Sequence, residues 1–442
     1  MRELYVWDES SRVGVFTERD GDISFRYDEQ YQGEISQSLP KHGWSSSCAA
    51  KNYLLNLIPE NSVTLSELLF DKGISSNDTF GILDSMDTAG GFVYTLDAEP
   101  PSHKVSPIVP LTPEMIAAQI DSCCSWSSAE RTLPMRFSIA GAQAKFTMSL
   151  IGQDWFAPSA SLPSTHIVKT PSRRFDDVEL VENLTMDLAE ECGVQVAKHG
   201  ILDVAGRCSY ITERFDRARI GTWGCTRLHV EDFAQALGMP PREKYYSTLE
   251  EVVDMLGKAS RSEELVYSFL RAYMFGAYAG DADAHIKNFS LVYEDGDVRL
   301  SPLYDSVLTS CWPDLDRGLG ISLNSTIFHS EYLTERTWRL FSEHVGLDSG
   351  RVVDMARDMA YKIEETMPEV LKSLPKDKRE LALGTMRHNV ENVNRYRPGI
   401  ESAWNPLYED DEPPVRASLG CAERDHNVAF AADGHSNTSH EH

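Results

Sequence analysis

Positive charge is scarce in this 442-residue sequence: 42 lysines and arginines stand against 68 aspartates and glutamates, a formal net charge of -26. Sequence-independent DNA binding needs a basic face that displaces counterions, so the chain is not expected to bind DNA unaided, nor to adsorb to an anionic membrane. Long apolar runs are missing too. None approaches the roughly 20 residues that a membrane-spanning helix needs, so no membrane partner is expected. The N-terminus, Met1-Arg2-Glu3-Leu4-Tyr5, has no positive region leading into an apolar core, and no secretory leader is expected. The eight cysteines (Cys48, Cys123, Cys124, Cys192, Cys208, Cys225, Cys311 and Cys421) form no C-x-x-C pair and show no metal-ligand spacing. They read as reduced thiols of a cytoplasmic protein.

What is present is a 41% apolar fraction, enough for sizeable cores. Residues 3–29 read as short strands between turns, and 45–70 as helical with a stripe of Tyr53, Leu54, Leu57 and Ile58. Proline-rich sequence from Pro100 to Pro113 reads as an irregular connection. Residues 131–170 are strand-rich, a helix is expected over about 177–192, and two strands follow over 200–212. From about residue 228 the chain turns helical, starting with Val230–Gly238. An α+β chain is expected, divided into an N-terminal unit (1–105), a strand-rich lobe (106–225), a helical lobe (226–404) and a disordered acidic tail (405–442).

One loop organises the rest: Gly280-Asp281-Ala282-Asp283-Ala284-His285-Ile286-Lys287-Asn288-Phe289-Ser290, set between an apolar helix and a strand. Asp283 precedes Asn288 by five positions, the spacing of the protein-kinase catalytic loop, in which the Asp takes the hydroxyl proton and the Asn holds a metal. Asp and Asn in one loop are also ordinary turn formers. Asp305, after the next strand-like stretch, stands where kinases carry another magnesium ligand. Upstream, Ala140-Gly141-Ala142-Gln143 is a small-residue turn followed by Lys145, suited to close approach of backbone N–H groups to phosphate, or simply a hairpin. Lys169 ends a strand and could pair with Glu182 on the following helix. Glu213 and Phe215 fall where a two-lobed kinase has its hinge, although Arg214, Asp216 and Arg217 there also suit a strand-end salt-bridge cluster.

Together, Ser138 to Lys145, Thr165 to Lys169, Glu213 to Arg217 and Asp283-x-His285-x-Lys287-Asn288-Phe289-Ser290 resemble the HipA toxin family, serine/threonine kinases of bacterial toxin–antitoxin modules. The resemblance runs from the first strands to about residue 400 and implies a bilobal protein-kinase-like fold, with residues 1–105 as an added HipA subdomain. It implies ATP and Mg2+ as cofactors and Asp283 as catalytic base, with Asn288 and Asp305 on the metal. It places Ala140, Gly141, Ala142, Gln143, Lys145, Lys169, Glu213, Phe215, Gln235, His285 and Lys287 around the nucleotide. Lys287 is expected near the transferred phosphate. Ser138 matches the family's autophosphorylated serine, whose added charge would repel ATP phosphates in the same loop.

The implied partners are a HipB-like helix-turn-helix antitoxin, operator DNA through that antitoxin, and an aminoacyl-tRNA synthetase substrate, glutamyl-tRNA synthetase in the family. Phosphorylating the synthetase would arrest growth. Ala144 departs from the family, standing where its best-known member has glutamate. A basic patch, Lys372, Lys376, Lys378 and Arg379, could add phosphate contacts or be an exposed helix face. A second reading keeps the fold and loses the chemistry: an antitoxin-bound transcriptional corepressor scaffold.

Overall fold

The structure, a computed structural model, describes residues 1–393 apart from 10, 44, 61, 101–106, 126–143, 160–161, 221–223 and 295. Three strands, β1 (Arg2–Asp8), β2 (Ser11–Arg19) and β3 (Asp22–Tyr27), form a meander in which alternate side chains point to one face. Helices α1 (Ala49–Asn56), α2 (Ser62–Lys72) and α3 (Thr79–Leu83) lead to β4 (Phe92–Thr95), which closes the sheet in the order β3-β2-β1-β4. Leu4, Val6, Phe16, Tyr53, Leu54 and Phe80 make its own apolar core. The stretch expected to be continuously helical over 45–70 is broken, since α1 stops at Asn56 and Pro59 precedes the next helix.

Two prolines expected to lie in an irregular connection belong to regular elements. β5 (Val109–Pro110) is an edge strand, where the missing N–H costs nothing, and Pro113 is the first residue of α4 (Pro113–Ser125). β6 (Lys145–Ile151), β7 (Asp154–Ala157), β8 (His166–Lys169), α5 (Val178–Glu191), β9 (His199–Val204) and β10 (Arg207–Glu213) follow. The six strands run β5-β7-β6-β8-β10-β9. Ile116 and Ile120 of α4 pack on Phe146, Met148 and Val168 of that sheet.

Beyond the hairpin of β11 (Arg217–Ile220) and β12 (Gly224–Arg227), the segment expected to be one helix over Val230–Gly238 is half strand. β13 (His229–Asp232) comes first, and α6 (Phe233–Ala236) starts only after Asp232, which caps it and closes a capping box with Gln235. α7 (Leu249–Ala259) and α8 (Glu264–Ala279) lead to β14 (Ser290–Glu294) and β15 (Asp297–Leu300). A second hairpin, β16 (Gly318–Leu323) and β17 (Ile327–His329), precedes α9 (Glu335–Val345), α10 (Ser349–Val370) and α11 (Lys376–Val393). α8 is apolar nearly all round and lies at the centre of the largest core.

The fold is a kinase-like α+β arrangement, with a strand-rich half followed by a helical half. Of the four residues of the basic patch, Lys372 and Lys376 are exposed as a helix face would be, Arg379 donates to Lys372 O, and Lys378 is buried. Lys378 is buried against Asp176 (2.5 Å) and Asp177 (3.5 Å), Lys372 is bonded to Glu369, and Lys376 lies 3.8 Å from Glu380.

Candidate active site

The organising loop begins where α8 must stop. Gly280 takes a left-handed φ of +87°, which ends the helix, and the chain turns inward. Thr309 Oγ1 accepts from Ala282 N and donates to Gly280 O, while Asp281 accepts from Ser306 and from the N–H groups of Asp283 and Val307. Burial pushes the Asp281 carboxyl up to about 8, so near neutrality it is largely a neutral brace. β16 lies against the loop through Gly320: a Cβ there would come within 2.5 Å of Ala284 C and O.

The loop places Asp283, His285, Lys287 and Asn288 on one cavity between the two halves, and Asp305 lines it too. Asp283 accepts a hydrogen bond from the Tyr245 hydroxyl. Burial pushes its carboxyl up to about 7, with Tyr245 and the Lys244 ammonium pulling the other way. That is the range in which a carboxylate can accept a proton from a hydroxyl near neutral pH. Asn288 donates through Nδ2 to the main-chain oxygens of Asp283 (2.9 Å) and Asp305 (3.2 Å). This fixes its amide orientation and turns Oδ1 into the atom available to a cation. Asp305 sits at φ +56°, a costly conformation for a residue with a side chain, and this Asn288 contact helps hold it there.

Lys169, at the end of β8, joins the two halves. Its ammonium bonds Glu182 Oε1 of α5 at 2.5 Å and also Asp305 Oδ1. Burial would lower the lysine pKa, but Asp305 and Glu182 outweigh it, so Lys169 stays charged and Asp305 is held well below the usual carboxylate range. The Lys169–Glu182 pairing expected from sequence is therefore present. Lys145, the first residue of β6, lines the same cavity.

Glu213 and Phe215 line the end of the cavity where β10 leaves the sheet. Phe215 lies against Tyr304, with ring centroids 5.0 Å apart, and Ile167, Ala197 and Val307 complete a slot suited to a flat ring. Phe215 is pinned from both sides. Arg214 donates to Asp216, Ser164 and Thr88 O; Arg217 donates to Asp87, Ser164 O and Gly90 O; and Arg227 donates to Asp87. The salt-bridge cluster weighed for these residues is present, and it flanks Phe215 where that ring lines the cavity.

His285 is buried, with Nδ1 lacking a hydrogen-bond partner among the described residues and its ring edge-on to Tyr245. Burial pushes its pKa well below the ordinary value, so the ring is neutral. Gln235 reaches the cavity too, but its side chain serves the α6 cap and donates to Tyr53 O. Lys287 is bound to the N-terminal unit, as described below. Ser138, Ala140, Gly141, Ala142 and Gln143 lie outside the described residues.

Sequence reasoning missed Asn56, Glu60, Asp232, Lys244, Tyr245 and Tyr304, all of which line the cavity or, for Tyr245, bond Asp283. Tyr304 directly precedes Asp305 and could have been found from that adjacency. Asn56 and Glu60 come from the N-terminal unit, and nothing local in the sequence points to them. Among the described residues no group of three or more His, Cys, Asp or Glu side chains could hold a metal, and no helix is long and apolar enough to cross a membrane.

Two family models match the chain, the HipA N-terminal domain over residues 4–95 and the HipA-like C-terminal domain over residues 137–367. Y4mE of Sinorhizobium fredii, named as a candidate kinase, is 31% identical over 411 residues, covering 88% of this chain and 96% of that protein. The serine/threonine-protein kinase toxin HipA of Shewanella oneidensis is 26% identical over 375 residues, 80% of this chain and 84% of its own length. A solved Shewanella oneidensis toxin–antitoxin complex of HipA, HipB and operator DNA contains a chain that matches with a TM-score of 0.75 at 23% identity. The match covers 90% of this chain and 99% of that one, so the two share a fold.

Proposed function

This chain belongs to the HipA family, and we propose that it is an ATP- and Mg2+-dependent protein kinase acting on a serine or threonine hydroxyl, as a toxin restrained by a HipB-like antitoxin. The observation that carries this reading is the convergence of Asp283, Asn288, Asp305 and the Lys169–Glu182 pair on one cavity that also holds the Phe215–Tyr304 slot. A carboxylate and an amide oxygen are hard donors of the kind magnesium takes, and a cation shared with phosphates needs only one or two protein carboxylates. Asn288 and Asp305 would hold it, and when bound it supplies charge neutralisation at the terminal phosphates.

The protein's own groups supply the rest. Lys169 holds the phosphates, and the apolar wall made by the Phe215–Tyr304 pair with Ile167, Ala197 and Val307 takes the adenine against it. Asp283 accepts the acceptor's hydroxyl proton as its oxygen bonds the γ-phosphorus and the β–γ bridging bond breaks, releasing ADP. Little covalent chemistry is asked of the protein beyond this positioning. Ser138 is the proposed autophosphorylation site. A net charge of -26 argues that operator contacts come from the antitoxin.

Glutamyl-tRNA synthetase is the proposed substrate. The test is incubation with γ-labelled ATP, magnesium and that purified synthetase. Label on the synthetase is expected. Label on the kinase alone would reject this target, and label on neither protein would reject the kinase.

A further inference from the structure

Among the described residues four lysines line the cavity: Lys145, Lys169, Lys244 and Lys287. Sequence position beside Asn288 singles out Lys287 as the phosphate contact, but its geometry does not allow this. An ammonium has three donors. Lys287 spends them on Asn56 O (3.1 Å), Asn56 Oδ1 (2.9 Å) and Asp232 Oδ2 (3.1 Å), with Glu60 Oε1 a further 3.7 Å contact. Its side chain is 5% exposed. Lys287 is a pin that ties the catalytic loop to α1 and to the capped start of α6.

Lys244 differs in each respect. Its carbonyl accepts from Ile286 N at 3.4 Å, so its backbone is attached to the same loop. Its ammonium bonds a single carboxylate oxygen among the described residues, Glu60 Oε2 at 2.8 Å, which leaves two donors for a ligand. Its side chain is 17% exposed and lies on the cavity. The next residue, Tyr245, is the one that bonds Asp283, so Lys244 stands on the side of the base. Its charge already acts there, opposing the effect of burial on Asp283. Lys169, in contrast, is engaged by Glu182 and Asp305 on the strand side.

We propose that Lys244 is the ammonium that contacts the transferring phosphoryl group on the acceptor side, with Glu60 of the N-terminal unit holding it in place. This rests on the kinase reading above. Charge spreads over the equatorial oxygens of the phosphoryl group during transfer, and a compact ammonium with free donors stabilises it. Glu60 explains why the N-terminal unit reaches into the cavity: it orients a cation that the catalytic loop itself does not provide.

The test compares Lys244→Met, Lys244→Arg and Lys287→Met in the full chain. It measures single-turnover transfer from labelled ATP, affinity for Mg-ADP, which lacks the group in question, and thermal melting. Lys244→Met is expected to slow transfer by about 100-fold or more while leaving ADP affinity and melting near the wild type. Lys244→Arg should restore part of the rate. Lys287→Met should instead lower the melting temperature, because Asp232 and Asn56 lose their partner. Transfer by Lys244→Met within about threefold of wild type overturns the proposal, as does an equal fall in rate and ADP affinity. A wild-type chain that transfers no phosphate overturns the kinase reading itself.

Discussion

Asp87 offers a sharp test of how the proposed nucleotide slot is held. This carboxylate is 2% exposed and lies among three guanidinium groups, at 3.4 Å from Arg214, 3.1 Å from Arg217 and 2.8 Å from Arg227, with Ser164 Oγ at 2.6 Å. Burial alone would raise its pKa, but the three arginines outweigh it and hold the carboxyl well below the usual range. Asp87→Asn keeps the shape and removes the charge, leaving Arg214 and Arg217 buried with Asp216 as their one remaining carboxylate among the described residues. Breaking such a buried pair costs about 3–5 kcal/mol. For a unit of this size each kcal/mol lowers the melting temperature by about 2–4 °C, so a fall of roughly 10 °C is expected. Phe215 sits between Arg214 and Asp216, so ADP affinity should fall as well. Differential scanning calorimetry and ADP titration read both effects. A variant that melts within about 2 °C of the wild type would refute the idea that this network fixes the hinge. Because the Asp87 pKa is depressed in the folded state, its contribution is present above the ordinary carboxylate range and is lost as pH falls below it.

Lys169→Met leaves Glu182, whose side chain is 0% exposed, without its cation. Burial already pushes that carboxyl up to about 7. The variant should therefore lose more melting temperature near pH 8.5, where Glu182 must ionise, than near pH 6, where it binds a proton; equal losses would contradict the pairing. Glu231 of β13 accepts from Gln37 N and Tyr293, and burial pushes it up to about 7. A raised folded pKa means that the stability it contributes is full below its ordinary value and is lost as pH rises through 7. Glu231→Gln should consequently gain on the wild type between about pH 5 and pH 8 by a few kcal/mol at most, read from urea midpoints. A difference that does not change with pH would contradict this.

What was legible in the sequence was local. Asp283 and Asn288 share one loop, Asp305 follows by one hairpin, and Lys169 and Glu182 are separated by a single turn into α5, so order along the chain predicts their meeting. The first strands and α8 were equally plain, because their apolar spacing is continuous. β13 was hidden because it is a four-residue strand running directly into a capped helix, and its apolar residues fit either period. α4 was hidden by Pro113, taken for a breaker although it stands where a helix tolerates proline. Contacts across the fold left no trace at all. Lys287 meets Asn56, and Arg217 meets Asp87, across more than a hundred positions, so Lys287 passed for a phosphate contact and Asp87 went unseen. The phosphate loop proposed from Ala140 to Gln143 lies outside the described residues.

The central claim is that Asp283 accepts a proton within a nucleotide-holding cavity. The direct measurement is phosphate incorporation into the purified full chain from γ-labelled ATP and magnesium, comparing wild type with Asp283→Asn. The account predicts label on the wild type and a loss of about 100-fold or more in the variant, with Mg-ADP still bound. Equal labelling of the two, or none on the wild type, would contradict it.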